Sequence, residues 1–194
     1  MISIDEMIKE YNKELTKDFP FLLSKDVFTG ELDKNYDYSY TILDFVPDGW
    51  VDLFLQMCED LREQLIKDEF LDKFVIWQVK EKFGKLRLST SGYSEKVGKI
   101  IKDYEYISQF VCYKCGKSAK LYDILHYTLP YCKPCLKEYK KELKTKYTKK
   151  PKEYIHRIGT SYKRYRISKR YFSNYTQEEK SDTKDIWKRL HSYV

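Results

Sequence analysis

A chain of 194 residues, 35% charged and 42% hydrophobic, has room for one ordinary domain plus an appendage and reads as soluble and mostly folded, not as a disordered polymer. No window approaches the roughly eighteen apolar residues of a membrane span, and Met1-Ile2-Ser3-Ile4-Asp5-Glu6 lacks the basic and apolar regions of a signal peptide, so a reducing, cytoplasmic location is expected. The net charge of +7 is unevenly spread: residues 1–70 carry 17 acids against 7 Lys/Arg, a balance of −10, and the remainder carries 13 against 30, a balance of +17. Two halves so different in charge are suited to different partners, or the first partly screens the second.

Ser3-Ile4-Asp5-Glu6 has the form of a capping box, after which Ile4, Met7, Ile8, Tyr11 and Leu15 keep one helix face apolar until Phe19-Pro20. Between Leu22 and Pro47 the pattern is weaker. Tyr36, Tyr38, Tyr40 and Ile42 alternate with polar residues, which suits a loop or an edge strand. Asp33, Asp37, Asp44 and Asp48 have no ligand spacing and no partnered His, and are read as solvated acids and caps.

Asp48 is placed to cap the next helix, in which Trp50, Leu53, Phe54, Met57, Leu61 and Leu65 form a core stripe and Cys58 serves as a small buried hydrophobe. Phe74 to Val79 and Leu86 to Thr90 read as two strands joined across Lys82-Phe83-Gly84-Lys85. Lys80, Lys82, Lys85 and Arg87 then cluster on this hairpin, either as a plain solvated face or as a contact for phosphate or an acidic partner. Ser94 opens a further helix with Val97, Ile100, Ile101, Tyr104 and Ile107 on one side.

That helix leads into Cys112-Tyr113-Lys114-Cys115-Gly116, and sixteen residues separate Cys115 from Cys132-Lys133-Pro134-Cys135. Two Cys-x-x-Cys pairs at this separation match a four-thiolate zinc site. Four sulfurs complete a tetrahedron and leave no position for water or substrate, so a single structural Zn2+ is expected at Cys112, Cys115, Cys132 and Cys135. Two disulfides, or one redox-active pair, would use the same residues; the spacing and the missing secretory signal favour zinc. Leu121 to Ile124 and Tyr127 to Tyr131 read as a hairpin, and Leu136, Tyr139, Leu143 and Tyr147 recur at helical spacing after Pro134, with His126 left as a surface or hairpin residue. A knuckle, a hairpin and a helix carrying the second pair resemble a treble-clef zinc finger.

Asp48-Gly49-Trp50, then Gln78-Val79-Lys80-Glu81-Lys82-Phe83-Gly84-Lys85-Leu86-Arg87, then Cys112-x-x-Cys115-Gly116 resemble a set of small phage and prophage proteins. The likeness covers about residues 47 to 136. It implies phage ancestry and a zinc-binding fold, with the host cytoplasm as location, and brings no established activity with it. In those relatives the second ligand pair is often a Cys with a His, where this chain has Cys132 and Cys135.

From Lys144 the composition changes: eleven Lys/Arg occur from Lys144 to Arg170 inclusive, against Glu153 alone. Arg157, Lys163, Arg164, Arg166, Lys169 and Arg170 interleave with Tyr162 and Tyr165, the mixture of phosphate-neutralising cations and stacking rings that a nucleic-acid arm uses. A basic tail that only aids solubility, or one whose tyrosines pack on the core, fits as well. Ile186, Trp187, Leu190 and Val194 lie on one side of a short terminal helix.

The expected fold is therefore α+β: residues 1–46 as an acidic helix and Tyr-rich segment, 47–111 as a helix-hairpin-helix core, 112–148 as the zinc module and 149–194 as a basic extension. His126, His156 and His191 accompany no nucleophile or phosphate-loop motif, so no enzyme, small-molecule substrate or membrane is expected. The expected partner is DNA or RNA, or alternatively a host or bacterial protein bound through the acidic N-terminal half.

Overall fold

The computed structural model describes residues 3–26, 28–125 and 127–147. Within them the chain is α+β: four helices and two separate two-stranded antiparallel sheets. No helix among the described residues is long and apolar enough to cross a membrane.

Helix α1 (Ile4–Asp18) begins where its capping box places it, with the Ser3 hydroxyl accepting from the Glu6 N–H and the Glu6 carboxylate accepting from the Ser3 N–H. Its seating differs from the apolar pattern. Ile4 is 76% exposed, Met7, Ile8 and Tyr11 also face outward, and the buried positions are Asn12 and Thr16. Two hydrogen bonds explain the choice: Asn12 Nδ2 donates to the Tyr38 carbonyl at 2.8 Å, and the Thr16 hydroxyl turns back to the Asn12 carbonyl at 2.8 Å. Only Leu15 of the apolar series reaches the core.

The Tyr-rich segment is a loop and forms no strand. Tyr36 crosses edge-on to both Tyr38 and Tyr40, its hydroxyl donates to the Tyr40 carbonyl, and Tyr38 takes a left-handed φ of 61°. Asp33, Asp37 and Asp44 accept from backbone N–H groups two or three residues away, the capping work expected of them.

Asp48 does not cap helix α2 (Val51–Lys67). A single 3-10 turn, Asp48–Trp50, precedes the helix, and Trp50 stands at its N-cap without a side-chain bond. The stripe of Leu53, Phe54, Met57, Leu61 and Leu65 is buried, as is Cys58, whose thiol is pushed up by that burial. Helix α3 (Glu95–Ile107), capped by Ser94, packs on α2 through Val97, Ile101, Tyr104 and Ile107, and the Tyr104 hydroxyl donates to Asp60 at 2.7 Å.

Strands β1 (Ile76–Lys82) and β2 (Lys85–Thr90) form the first hairpin, starting two residues later than the apolar run because Phe74 packs as a core residue before pairing begins. Val79 opposes Leu88 and Glu81 opposes Leu86 on one face, while Lys80 opposes Arg87 and Lys82 opposes Lys85 on the other. The second hairpin joins β3 (Lys120–Ile124) to β4 (Tyr127–Tyr131), and helix α4 (Lys133–Tyr147) follows at once. A smaller apolar cluster lies beneath it, built from Ala119, Ile124, Tyr131, Cys132 and Leu136.

The turn of the first hairpin meets the second hairpin. Gly84, in the β1–β2 turn, has a φ of +76°, and a Cβ there would lie 2.5 Å from Leu121 Cδ2 and 3.2 Å from the Thr128 carbonyl oxygen, so glycine suits a turn that rests on the second hairpin. Urea denaturation tests these assignments: Ile4→Ser and Met7→Ser should shift stability by less than about 0.5 kcal/mol, and Leu61→Ala should lower it by about 3 kcal/mol.

Candidate metal centre

A 3-10 turn, Ser108–Phe110, carries the chain from α3 to the first cysteine pair. There the Cys112 N–H donates to the Lys117 carbonyl at 2.7 Å and the Gly116 N–H donates to the Cys112 carbonyl at 3.0 Å, with Gly116 at a φ of +74°. These bonds close a tight knuckle that directs Cys112 and Cys115 to one side. Cys132 ends the second hairpin and Cys135 lies in the first turn of α4, where the Leu136 N–H donates to the Cys132 carbonyl at 2.9 Å. Knuckle, hairpin and helix thus follow one another in the order of a treble clef.

The four sulfurs all lie within 4.8 Å of one another, and Cys115 and Cys132 are 3.6 Å apart. A tetrahedral centre with metal–sulfur bonds of about 2.3 Å has sulfur–sulfur edges of about 3.8 Å, so the donor set fits one ion. It is the one such group among the described residues, and the acids of the N-terminal half form none. Electrostatics agree with the geometry. Burial raises the Cys112 thiol, but backbone N–H groups of Cys132, Lys114 and Cys115 outweigh it and hold that sulfur below its ordinary value. Burial pushes the Cys115 and Cys135 thiols up, the neighbouring sulfurs adding to the effect at Cys135. Thiols crowded in this way resist becoming thiolates together, and a cation among them removes the resistance.

The knuckle is built onto the main core through Gly49 and Trp50. A Cβ on Gly49 would lie 2.0 Å from the Cys112 carbonyl oxygen and 2.7 Å from the Cys115 nitrogen, so the backbones meet with no room for a side chain. The Gly49 N–H donates to the Tyr113 carbonyl at 3.1 Å, and Trp50 Nε1 donates to the Val111 carbonyl at 2.9 Å. Trp50 stands edge-on to Tyr113, which in turn meets Tyr131, and Tyr131 stacks on Tyr139 of α4 at 5.2 Å. Reading by spacing passes over Gly49. The available signal is a glycine that directly precedes a tryptophan at the head of an apolar helix.

The four hairpin cations share one face but differ in surroundings. Lys80 and Lys82 are exposed; Arg87 reaches Glu105 of α3, whose carboxylate also accepts from the Leu88 N–H at 3.2 Å; Lys85 is half-buried, and desolvation, then the Arg87 charge, lower its pKa. The face is therefore less uniformly basic than its residues suggest, because α3 draws Arg87 aside. Arg157, Tyr162, Lys163, Arg164, Tyr165, Arg166, Lys169 and Arg170, the terminal Ile186–Val194 segment and His126 lie outside the described residues.

No family model, curated protein or solved structure matches the chain.

Two outcomes follow for the centre. Gly49→Ala should lower the urea midpoint by the equivalent of about 3 kcal/mol although it touches no ligand. Chelation should raise amide exchange in β4 and α4 well before α2, with metal affinity falling as pH falls, since binding an ion expels protons from the thiols; a module equally protected with and without chelator would contradict a structural ion.

Proposed function

We propose that the chain is a non-enzymatic, phage-type accessory protein in which one structural zinc ion holds a basic surface against nucleic acid. Zinc is the ion that four cysteines at this spacing take up most readily as a closed structural site, and the complete thiolate shell leaves no position for catalysis.

The observation that carries the nucleic-acid reading is how α4 divides its charges. Leu136, Tyr139 and Leu143 pack inward. Glu138 and Glu142 are taken up by Lys114 of the knuckle, at 2.9 and 3.5 Å. The remaining side carries Lys133, Lys137, Lys140, Lys141 and Lys144, which fall within about 100° of the helix circumference. Lys133, Lys137, Lys141 and Lys144 are exposed. Lys140 has its pKa lowered chiefly by burial, with the charge of Lys144 adding to it. Such a stripe neutralises phosphates by releasing their counterions, and in sequence it is followed by nine further Lys/Arg between residues 148 and 170.

Elemental analysis of the reduced protein should give one zinc per chain; iron or no metal would overturn the zinc assignment. For binding, fluorescence anisotropy with short DNA and RNA should show affinity falling steeply between about 50 and 200 mM salt. Replacing Lys133, Lys137, Lys141 and Lys144 with Ala should flatten the logarithmic salt slope by about one for each phosphate that is no longer neutralised. An unchanged slope would remove α4 from the surface.

A second reading is favoured by α1. Its outward Ile4, Met7, Ile8 and Tyr11, set among acids, have the composition of a protein contact, as an inhibitor or adaptor of a host or bacterial factor requires. In nuclease-treated lysate, the wild-type chain would then retain a protein that Met7→Glu/Ile8→Glu loses.

A further inference from the structure

We propose that the β1–β2 turn is a stacking finger for unpaired bases, with Phe83 as the ring that meets them; this deepens the nucleic-acid reading and rests on it. Phe83 and Gly84 form a two-residue turn in which both residues have positive φ, 54° and 76°. That is the type I′ geometry, for which the first position favours Asn, Asp or Gly. An aromatic residue there adopts a conformation that L side chains avoid, and burial offers no return, because Phe83 is 70% exposed. Tyr38, also at positive φ, is by contrast held by its Asn12 bond and its ring contact with Tyr36. Phe83 breaks two local preferences at once, in a turn that Asn-Gly would form with less strain.

The base of the turn is firmly seated. Gly84 rests against Leu121 and Thr128 of the second hairpin, and its N–H donates to the Glu81 carboxylate at 2.5 Å. The ring is thus carried on a support that the metal centre holds in place, and presenting it to a ligand costs little further ordering. Its surroundings identify the ligand class. Lys82 Nζ lies 5.6 Å from the Phe83 ring centroid, and the exposed Lys80 and Lys82 stand on the adjoining face, with Lys85 half-buried beside them. A ring for a base beside cations for phosphates is the chemistry of a nucleotide chain, whereas an apolar protein anchor would be framed by apolar neighbours. The strand must be unpaired, since bases inside a duplex do not offer their flat faces.

The test compares Phe83→Asn and Phe83→Trp with the wild-type chain, using single-stranded DNA, single-stranded RNA and duplex DNA of matched sequence. Phe83→Asn should keep or raise the urea midpoint, weaken single-strand binding about tenfold and leave duplex binding unchanged. Phe83→Trp should keep single-strand affinity, and its added fluorescence should be quenched by the bound strand. The preferred single strand, DNA or RNA, identifies the source of the bases. If Phe83→Asn binds single strands as tightly as wild type, or if the new tryptophan is not quenched, the finger is wrong while the basic surface stands. A wild-type chain that binds neither single strands nor duplex overturns both. A lowered midpoint for Phe83→Asn would make Phe83 a packing residue and overturn the finger alone.

Discussion

The backbone of Gly49 lies so close to the cysteine knuckle that a single methyl group would strike the Cys112 carbonyl oxygen. Much else follows from that contact. It falls within the 3-10 turn that leads into α2, beside Trp50 whose indole N–H reaches the Val111 carbonyl, and it joins the main core to the cluster around the thiols. The module is also tied in by the chain leaving α3, by Tyr113 packing on Trp50 and by the hairpin contact at Gly84. The four sulfurs are thus positioned by two cores at once, and the stability of one is tied to the order of the other.

Charge is arranged on this frame by position. Acids concentrate in the first seventy residues, where several are spent on capping and on the pair between Lys9 and Asp37 at 2.6 Å. In the module the acids of α4 are taken up by Lys114. Individual surface pairs of this kind add little stability. The direction in which the lysines face is set by the packing of Leu136, Tyr139 and Leu143 on the inward side of the helix.

What was legible in the sequence was what neighbouring residues decide among themselves. The capping box at Ser3, the α2 stripe, the strand Tyr127–Tyr131 and the cysteine spacing are local patterns with strong physical preferences, and the structure contains each of them. The failures occur where a distant group overrules the pattern. The apolar side of α1 loses to Asn12, because the Tyr38 carbonyl needs a donor that no periodicity announces. Tyr36 to Ile42 alternates like a strand but has no partner strand to pair with among the described residues, and the Tyr36 hydroxyl folds back on its own segment. Asp48 is a suitable cap by type, yet the knuckle claims the residue beside it. The cysteine cluster was legible as a set of candidate ligands, and the backbone surface that it rests on was not.

Cys58 is fully buried and its thiol is held well above the ordinary range, while Cys115 stands at the surface of the thiolate cluster. The five cysteines therefore divide into one that a soft electrophile reaches only when the main core opens and four that an ion bound among them would shield. A single chain so equipped carries two chemical clocks. The rate at which a maleimide consumes its thiols would separate the lifetime of the metal centre from the lifetime of the fold, with no introduced label.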